Sequence, residues 1–302
     1  MGAAEGRRCV MSARIAVLRG DGIGPEVIAA ALETLPADVE TVDVGAGAER
    51  FIATGQLLTS EDLALVRDSD ALLFGAIGDP RVDAGILERG ILLRLRKELD
   101  LYVNLRPFPE IDVVIVRENT EGLYAGMGNS YGELAVETSI NTAHAIERCA
   151  HYAFDLAMTR SRRVTLAHKT NVLVHAGSLW REVTEEVAGY YPDVALSYTH
   201  ADAAAYHLVV DSGRLDVVLT DNLFGDLLSD VAAGLAGGLG RAASANLHPD
   251  PATRPSRCTG LFEPVHGSAP DIAGTGKADA TAAIRAARMM MDELERAGAA
   301  RV

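Results

Sequence analysis

Short apolar segments alternate with helical segments along this chain, and the alternation constrains the fold more than any other feature. The apolar segments are brief and almost entirely aliphatic, which is typical of strands buried on both faces of a sheet. The clearest examples are residues 14–18, 71–74, 113–116, 164–167 and 217–220. Apolar residues at helical spacing follow several of these segments. The sequence therefore predicts an α/β protein in which helices connect the strands of a sheet.

The composition excludes several classes of partner. The chain has 302 residues, of which 48% are hydrophobic, and a formal net charge of −14. A chain of this size can bury a large core, arranged as one large domain or two smaller ones. No Lys/Arg cluster offsets the acidity, so we expect no nucleic-acid partner. No uncharged apolar run reaches the roughly 18 residues of a membrane helix, so we expect no membrane partner.

The cysteines and the first residues favour a cytoplasmic location. Cys9, Cys149 and Cys258 lie far apart and lack metal-binding spacing. We interpret them as buried or incidental thiols, which fits a reducing compartment. Residues 1–10 lack the apolar centre of a secretory signal, and Met11 is a candidate alternative start.

Asp226 and Asp230 form the most specific polar pair in the sequence. A spacing of four residues places both carboxylates on one face of a helix, where they would repel each other unless a cation lay between them. Carboxylate oxygens suit Mg²⁺ or Mn²⁺ better than zinc. Asp202 could supply a third carboxylate. The alternative is a solvated acidic face, but Asn222, Phe224 and Gly225 at a strand-to-helix corner favour the metal site.

Arg96, Arg106 and Arg117 are candidates for binding a substrate with two carboxylates. An isolated arginine is usually a surface residue. Arg106 and Arg117, however, each follow an apolar segment, and we expect them at strand ends. Side chains at strand ends point into a crevice, where guanidinium groups can pair bidentately with carboxylates. These arginines would reverse the sign of the charge locally in an otherwise acidic protein.

Six segments resemble, in their order, the β-decarboxylating dehydrogenases, a family that includes 3-isopropylmalate, isocitrate, homoisocitrate and tartrate/D-malate dehydrogenases. The resemblance implies an α/β, isopropylmalate-dehydrogenase-like two-domain fold with a mixed sheet flanked by helices. It implies a first, cofactor-binding domain at residues 1–103 plus 237–302, and a second domain for substrate, metal and dimerisation at residues 104–236. The segments are 95–97 (Leu-Arg-Lys), 104–107 (Asn-Leu-Arg-Pro), 116–124 (Val-Arg-Glu-Asn-Thr-Glu-Gly-Leu-Tyr), 168–172 (His-Lys-Thr-Asn-Val), 221–230 (Asp-Asn-Leu-Phe-Gly-Asp-Leu-Leu-Ser-Asp) and 263–271 (Glu-Pro-Val-His-Gly-Ser-Ala-Pro-Asp).

The same resemblance implies roles for individual residues. Lys169 would take part in deprotonating the substrate hydroxyl, and Tyr124 would protonate the enol carbon after CO₂ leaves. The matching lysine and the aspartate at Asp202 come from the neighbouring subunit in this family. We therefore expect a homodimer with shared active sites, in which Asp226, Asp230 and the partner's Asp202 hold Mg²⁺ or Mn²⁺.

Several parts of the chain are candidates for binding a dinucleotide. Residues 20–24 (Gly-Asp-Gly-Ile-Gly) lack the spacing of a Rossmann fingerprint and by themselves indicate only a strand-to-helix turn. The resemblance places this turn beside the cofactor and makes residues 266–271 an adenosine loop. Asp271 would bind ribose hydroxyls and repel a 2′-phosphate, which favours NAD. The implied cofactor-binding residues are Ile23, Gly75, Ala76, Ile77, His266, Gly267, Ser268, Ala269, Asp271 and Asp279.

The residues before Arg96 favour a substrate with an apolar side group. In the family these residues face the variable group of the substrate, and tricarboxylate-specific members carry polar or cationic residues there. This chain has Leu92 and Leu93, which suit an isopropyl group, so we expect 3-isopropylmalate oxidation of the leucine-biosynthesis type. Tartrate/D-malate dehydrogenase is the alternative because its pocket is also apolar, and residues 118–124 are closer to homoisocitrate-type members.

The sequence departs from the family pattern in three places. Asp279-Ala280 stands where family members often have Asn-Pro next to the adenine. The segment between Pro107 and Val113 is shorter than in family members, and the family's further C-terminal tail does not follow Met291. These departures leave open a hypothesis of another class, a non-catalytic paralogue or regulatory subunit. The retained site residues favour an enzyme.

Overall fold

The computed structural model describes residues 13–299. The strands are β1 (Arg14–Leu18), β2 (Glu40–Asp43), β3 (Ala71–Phe74), β4 (Val103–Phe108), β5 (Val113–Glu118), β6 (Gly122–Tyr131), β7 (Leu134–Ile140), β8 (Arg163–His168), β9 (Ala195–His200), β10 (Val217–Thr220), β11 (Ala243–Leu247) and β12 (Gly260–Pro264). The α-helices are α1 (Gly24–Leu32), α2 (Ala48–Thr54), α3 (Ser60–Asp68), α4 (Arg94–Glu98), α5 (Ala143–Met158), α6 (Val174–Ala188), α7 (Ala201–Val210), α8 (Asn222–Leu235) and α9 (Thr281–Ala299). A π-helix at Glu88–Leu93 leads directly into α4.

Within the described residues, most strands form one mixed sheet. Its ten strands lie in the order β2-β1-β3-β12-β11-β4-β5-β10-β8-β9. β11 is antiparallel to both of its neighbours and β4 is antiparallel to β5, whereas the other pairings are parallel. The predicted mixed sheet flanked by helices is therefore confirmed. The predicted domain boundary falls near the pairing of β11 with β4, and it stays a prediction.

Alternate residues of the central strands face opposite layers of helices. In β3, Ala71 and Leu73 pack into one apolar cluster, and Leu72 and Phe74 pack into another. The first cluster includes residues of α1, α5, α6 and α9. On the other face, α2, α3 and α4 pack against one half of the sheet, and α7 and α8 pack against the other half. Strands β3, β5 and β10 are thus buried along their length, as their apolar sequences predicted, whereas β11 and β12 in the middle of the sheet were not predicted.

Two strands are longer than the sequence indicated, and this changes the position of two arginines. β4 and β5 form a tight antiparallel hairpin in which Phe108 pairs with Val113. The hairpin extends the strand pairing through Arg106 and Pro107, and β5 continues past Arg117 to Glu118. The prediction that Arg106 and Arg117 lie at strand ends was therefore wrong, because both lie within strands.

The β6–β7 hairpin was not predicted. It forms a separate two-stranded sheet within the described chain and is exposed along most of its length. Gly132 makes its turn with φ +68°, a conformation that favours glycine. The apolar residues Leu134, Val136 and Ile140 lie at the two-residue spacing of a strand, but most of the hairpin is not buried against the core.

The predictions about the cysteines and the first residues can be checked only where the structure describes the chain. Cys149 and Cys258 are both buried with free thiols, as predicted. The predictions for residues 1–10, including Cys9, and for Met11 lie outside the described residues. Between residues 13 and 299, no helix is both long and apolar enough to cross a membrane.

Candidate active site

The three arginines predicted to bind substrate lie on adjacent parts of the fold and are all buried. Arg96 lies on α4, Arg106 on β4 and Arg117 on β5. Their exposed fractions are 6%, 6% and 1%, respectively. Buried guanidinium groups need partners for their charge and for their N–H donors. Those partners define the site.

Arg117 lies against the first two turns of α8. Its Nε and Nη2 donate to Asn222 Oδ1 at 2.8 and 2.6 Å, and its Nη1 donates to Asp226 Oδ1. The guanidinium group also lies 5.0 Å from the centre of the Tyr124 ring, a cation–π geometry. Arg117 therefore connects β5, α8 and the predicted acid Tyr124.

Arg106 lies beside both aspartates of α8. Its Nη1 donates to Ser229 Oγ at 2.6 Å, and its Nη2 lies 3.4 Å from Asp226 Oδ1. Its Nη1 also lies 3.6 Å from Asp230 Oδ1. Burial lowers the pKa of Arg106 to about 10, which leaves it protonated at neutral pH.

Arg96 is paired with a carboxylate that the sequence analysis did not select. Its Nη2 donates to Glu263 Oε1 at 3.1 Å, and Glu263 is itself buried. Burial lowers the pKa of Arg96, although Glu263 opposes the shift. Glu263 lies at the start of one of the motif segments, so its position in the motif was the only signal that could have identified it.

Helix α8 presents the predicted acidic pair. Asp221 caps the helix by accepting from Phe224 N at 2.8 Å, so the helix begins before both aspartates and places them one turn apart. Burial tends to raise the pKa of Asp226, but the charges of Arg117 and Arg106 outweigh burial and lower it. The pKa of Asp230 is raised by burial and by the charge of Asp226.

Asp226 and Asp230 can supply two ligands to a divalent cation, but two carboxylates do not make a complete binding site. The Asp230 side chain is 56% exposed and its carboxylate faces the same region as that of Asp226. Two carboxylates one turn apart supply the hard oxygens that Mg²⁺ and Mn²⁺ prefer. Among the residues that the structure describes, no group of three His, Cys, Asp or Glu side chains could hold a metal ion. Asp202 is therefore not brought to Asp226 and Asp230 within one chain.

Tyr124 is held at the same place by Asp226. Its hydroxyl donates to Asp226 Oδ2 at 2.9 Å. Burial raises the pKa of Tyr124, with Asp226 adding to the shift and Arg117 opposing it. The hydroxyl is therefore protonated at neutral pH and is positioned to act as a proton donor.

Lys169 and Asp202 form a second, separate cluster. Lys169 Nζ donates to Asp202 Oδ1 at 2.6 Å, and this bond lowers the pKa of Asp202. No hydrogen bond or ion pair between described residues joins these two side chains to the three arginines. One chain thus places the predicted base and the third metal ligand together, but away from Tyr124 and Arg117.

The predicted cofactor-binding segments converge beyond the carboxyl ends of β1, β3 and β12. Ile23 N donates to Ser268 O at 2.8 Å, and Asp21 N donates to Ala76 O at 2.8 Å. A Cβ added to Gly22, which has φ +57°, would lie 2.0 Å from Ser268 O. Only glycine allows this approach, so the sequence at the turn is explained by contact between loops.

The other predicted cofactor residues continue around this region. Gly75, Ala76 and Ile77 directly follow β3, and His266, Gly267, Ser268 and Ala269 follow β12. Asp271 is exposed on the loop before α9, and Asp279 accepts from Thr281 N at 2.9 Å at the start of that helix. The crevice beyond the ends of parallel strands is the usual position of a ligand in an α/β sheet.

Leu92 and Leu93 end the π-helix, and both are partly buried. Leu92 packs against the same apolar cluster as Ile77, one of the predicted cofactor residues. Single π-helical turns occur frequently at functional sites. The predicted side-group residues therefore lie directly before the helix that carries Arg96, and Leu92 shares a core cluster with Ile77.

Comparisons with known proteins agree with this geometry. Residues 14–302 match the family model described as isocitrate/isopropylmalate dehydrogenase. The 3-isopropylmalate dehydrogenase of Corynebacterium efficiens is 52% identical, with 96% of this chain and 90% of that protein covered. The 3-isopropylmalate dehydrogenase of Nocardia farcinica is 50% identical over 93% of this chain and 89% of that protein.

Solved structures show the same relationship. The isocitrate dehydrogenase of Methylococcus capsulatus superimposes with a TM-score of 0.83 at 37% identity, covering 96% of this chain and 88% of that one. A β-decarboxylating dehydrogenase of Thermococcus kodakarensis gives 0.78 at 40% identity, covering 94% and 84%. The fold and the site define a decarboxylating dehydrogenase. The chain belongs to the isocitrate/isopropylmalate dehydrogenase family.

Proposed function

We propose that this protein catalyses the NAD-dependent oxidative decarboxylation of 3-isopropylmalate to 2-oxoisocaproate, the reaction type of leucine biosynthesis. The observation that carries the proposal is the convergence of Arg106 and Arg117 on Asp226, which also holds Tyr124. The relatives at 50% and 52% identity bear the name of the same activity.

The charges of the site support a substrate that binds with a divalent cation. The three guanidinium groups are positive, and three carboxylates contact them: Glu263, Asp226 and Asp230. The cluster is therefore close to neutral by itself, and a malate-type dianion would add two negative charges. A divalent cation at Asp226 and Asp230 would restore neutrality, which favours joint binding in a poorly solvated site.

Each site residue would have its own role in the reaction. NAD at the cofactor loops would supply a hydride acceptor, and a divalent cation held by Asp226 and Asp230 would supply Lewis acidity toward the substrate oxygen. Arg96, Arg106 and Arg117 orient the substrate carboxylates. Lys169 of the partner subunit removes the hydroxyl proton. Tyr124, held protonated by Asp226, returns a proton to the carbon that CO₂ leaves.

Exposed apolar surfaces support the homodimer that this arrangement needs. On the β6–β7 hairpin, Met127, Tyr131 and Leu134 are 53%, 63% and 59% exposed. On α7 and α8, Tyr206 and Leu227 are 62% and 59% exposed. Because α8 contacts both β6 and α7, these exposed apolar side chains lie on neighbouring elements, where a partner could cover them together. We propose that a second copy covers them and contributes Lys169 and Asp202 to the site.

The cofactor is proposed to be NAD rather than NADP. Asp271 is exposed beside the converging cofactor loops, where its carboxylate can accept hydrogen bonds from ribose hydroxyls. The additional phosphate of NADP would be repelled by the same carboxylate. The substrate panel below also tests the preference for NAD, because it is run with both cofactors.

A substrate panel tests the proposed function. The purified protein is assayed with Mn²⁺ and either NAD or NADP on 3-isopropylmalate, D-malate, tartrate, isocitrate and homoisocitrate. We expect 3-isopropylmalate with NAD to give the highest kcat/KM, and excess EDTA to abolish turnover. Isocitrate and homoisocitrate should be slower by orders of magnitude, because an unpaired carboxylate against Leu92 and Leu93 would lose its hydration.

Other outcomes of the panel would overturn parts of the proposal. A higher kcat/KM with D-malate or tartrate would move the assignment to that substrate. A preference for NADP would contradict the role of Asp271. Intact NAD binding without turnover of any substrate would favour the non-catalytic paralogue.

A further inference from the structure

A network of buried amides links two of the substrate-binding arginines. Arg106 Nε donates to Asn104 Oδ1 at 2.9 Å, and Asn104 Nδ2 donates to Asn246 Oδ1 at 2.9 Å. Asn246 Nδ2 donates to Glu263 Oε1 at 2.8 Å, and Arg96 Nη2 donates to the same oxygen at 3.1 Å. A continuous path of hydrogen bonds therefore runs from one guanidinium group to the other.

The path crosses the middle of the sheet, away from solvent. Asn104 on β4 is paired directly with Asn246 on β11, and both are 0% exposed. β12, which carries Glu263, is the other neighbour of β11. Apolar residues would be the ordinary choice at such positions, since a buried amide is unfavourable unless it is fully hydrogen-bonded. Two buried asparagines in adjacent strands thus require an explanation beyond packing.

The hydrogen bonds determine the orientation of each amide. Asn246 Oδ1 accepts from Asn104 and, at 2.9 Å, from Asn119 Nδ2. The Asn104 amide also donates to Ser244 Oγ at 2.8 Å. If the Asn246 amide were flipped, its NH₂ group would face the NH₂ groups of Asn104 and Asn119. Its oxygen would then face the Glu263 carboxylate. An aspartate could not replace either residue in this role, because each must donate on one side and accept on the other.

We propose that Asn104 and Asn246 are positioning residues that hold Arg106 and Arg96 in a fixed relative position for binding a dicarboxylate. This inference rests on the proposed function, since it assigns the two arginines to the substrate. The arginine side chain has several rotatable bonds, and fixing it before the substrate arrives reduces the entropy lost on binding. The network therefore acts on substrate affinity and not on the acid–base steps.

Replacing Asn104 tests the proposal. Asn104→Leu removes the acceptor for Arg106 Nε, and Asn104→Ser shortens the side chain beyond reach while keeping the site polar. We expect each variant to raise the KM of the dicarboxylate by about tenfold, the effect of a lost hydrogen bond to a charged group. The value of kcat should change much less, and the KM of NAD should not change. If the leucine variant does not fold, the serine variant carries the test.

Thr259→Val is the matched control. Thr259 is 2% exposed and donates a buried hydrogen bond to Asp70 O at 3.1 Å, without contact to the network. It should lower the melting temperature without changing the KM of the substrate. If the Asn104 variants behave as this control does, the network has only a structural role and the proposal is wrong.

A second measurement separates an action through Arg106 from a general disturbance. Arg106→Lys removes the Nε that Asn104 holds, so adding Asn104→Ser to Arg106→Lys should raise the KM by little more. An undiminished additional increase would overturn the proposal. If the unmodified enzyme does not oxidise 3-isopropylmalate, the proposed function fails separately, and the same KM ratios are then measured on the dicarboxylate that the panel selects.

Discussion

At the scale of single residues, Gly225 shows how packing on an arginine shapes the site. A Cβ added at this position of α8 would lie 2.6, 2.7 and 2.9 Å from Arg117 Cγ, Cβ and Cδ. Arg117 is only 1% exposed and is held by hydrogen bonds to Asn222 and Asp226. A glycine inside a helix is unfavourable by itself, so its presence here reflects the space that the Arg117 side chain occupies.

We predict that Gly225→Ala displaces Arg117 and raises the KM of the dicarboxylate by at least tenfold. Gly234→Ala is the control, because it lies on the same helix and its added Cβ would meet nothing within 4 Å. That variant should keep its KM and gain up to about 1 kcal/mol of stability from helix propensity. Steady-state kinetics and thermal melting measure both effects. Equal KM values in the two variants would contradict the packing interpretation.

His168 is a buried residue beside the predicted base. It is 0% exposed, stacks on Trp180 at 5.8 Å, and neither of its ring nitrogens has a hydrogen-bond partner among residues 13–299. Its Nε2 lies 3.7 Å from Asp221 Oδ2. Burial lowers the pKa of His168 to about 4 and raises the pKa of Asp221 to about 6.

The lowered pKa of His168 gives a stability change with a defined sign. Between its folded value of about 4 and its unfolded value of about 6.5, the unfolded state binds more protons. The stability of the folded state that depends on neutral His168 is therefore fully present above pH 6.5. It is lost as the pH falls toward 4. Asp221 acts in the opposite direction, since its stabilising effect is lost as the pH rises from 3.8 through 6. The two effects overlap, so a variant is needed to separate them.

We predict that His168→Leu loses less stability than the unmodified protein between pH 6.5 and pH 4. The difference between the two unfolding free energies should change by up to about 3 kcal/mol over this interval, because each pKa unit corresponds to about 1.4 kcal/mol. Urea unfolding at several pH values measures the difference. A difference that is independent of pH would show that His168 is not held neutral by burial.

At the scale of elements, α8 combines capping, packing and charge in one helix. Asp221 caps its first turn, Asn222 holds Arg117, and Asp226 contacts two arginines and Tyr124. The helix begins at Asn222, so both Asp226 and Asp230 lie within it and are one turn apart.

We predict that Asp226→Asn raises the Mn²⁺ concentration needed for half-maximal activity and lowers kcat by orders of magnitude. The control is Glu186→Gln, which removes a carboxylate from the exposed pair formed by Glu182 and Glu186 at the same spacing on α6. This variant should have an unchanged metal requirement. Titration of activity with Mn²⁺ after removal of metal by EDTA measures both. Unaltered metal dependence in Asp226→Asn would remove this residue from the metal site.

At the scale of the whole molecule, the distribution of charge and the separation of the two polar clusters both favour a shared site. The net charge is −14, yet three arginines are concentrated in one buried region. Lys169 and Asp202 are paired with each other at 2.6 Å and lie apart from that region within one chain. A second copy of the chain can bring the two clusters together.

We predict that mixed dimers of two inactive variants recover activity. Lys169→Met removes the base that each chain would give to its partner, and Arg117→Ala removes the substrate site of its own chain. A heterodimer contains one pocket with neither change, so it should have about half of the activity of the unmodified dimer. The variants are mixed under conditions that exchange subunits, and the heterodimer is isolated through two different tags. An isolated heterodimer without activity would refute the shared site.

The sequence by itself determined the aliphatic strands β1, β3, β5, β8 and β10, the spacing that places Asp226 and Asp230 on one helix face, and the motif order that defines the family, but it did not indicate β11 and β12. These features depend on periodicity, capping and spacing over a few residues, which the chain specifies locally. Only the tertiary structure decided that Arg106 and Arg117 lie within strands, that Glu263 and Asn246 connect Arg96 to Arg106, and that the exposed β6–β7 hairpin exists. Arg106 meets Asp226 across 120 residues, and Asn104 meets Asn246 across 142. Contacts at such separations depend on strand order and register, which arise from the simultaneous burial of many side chains and not from any local pattern.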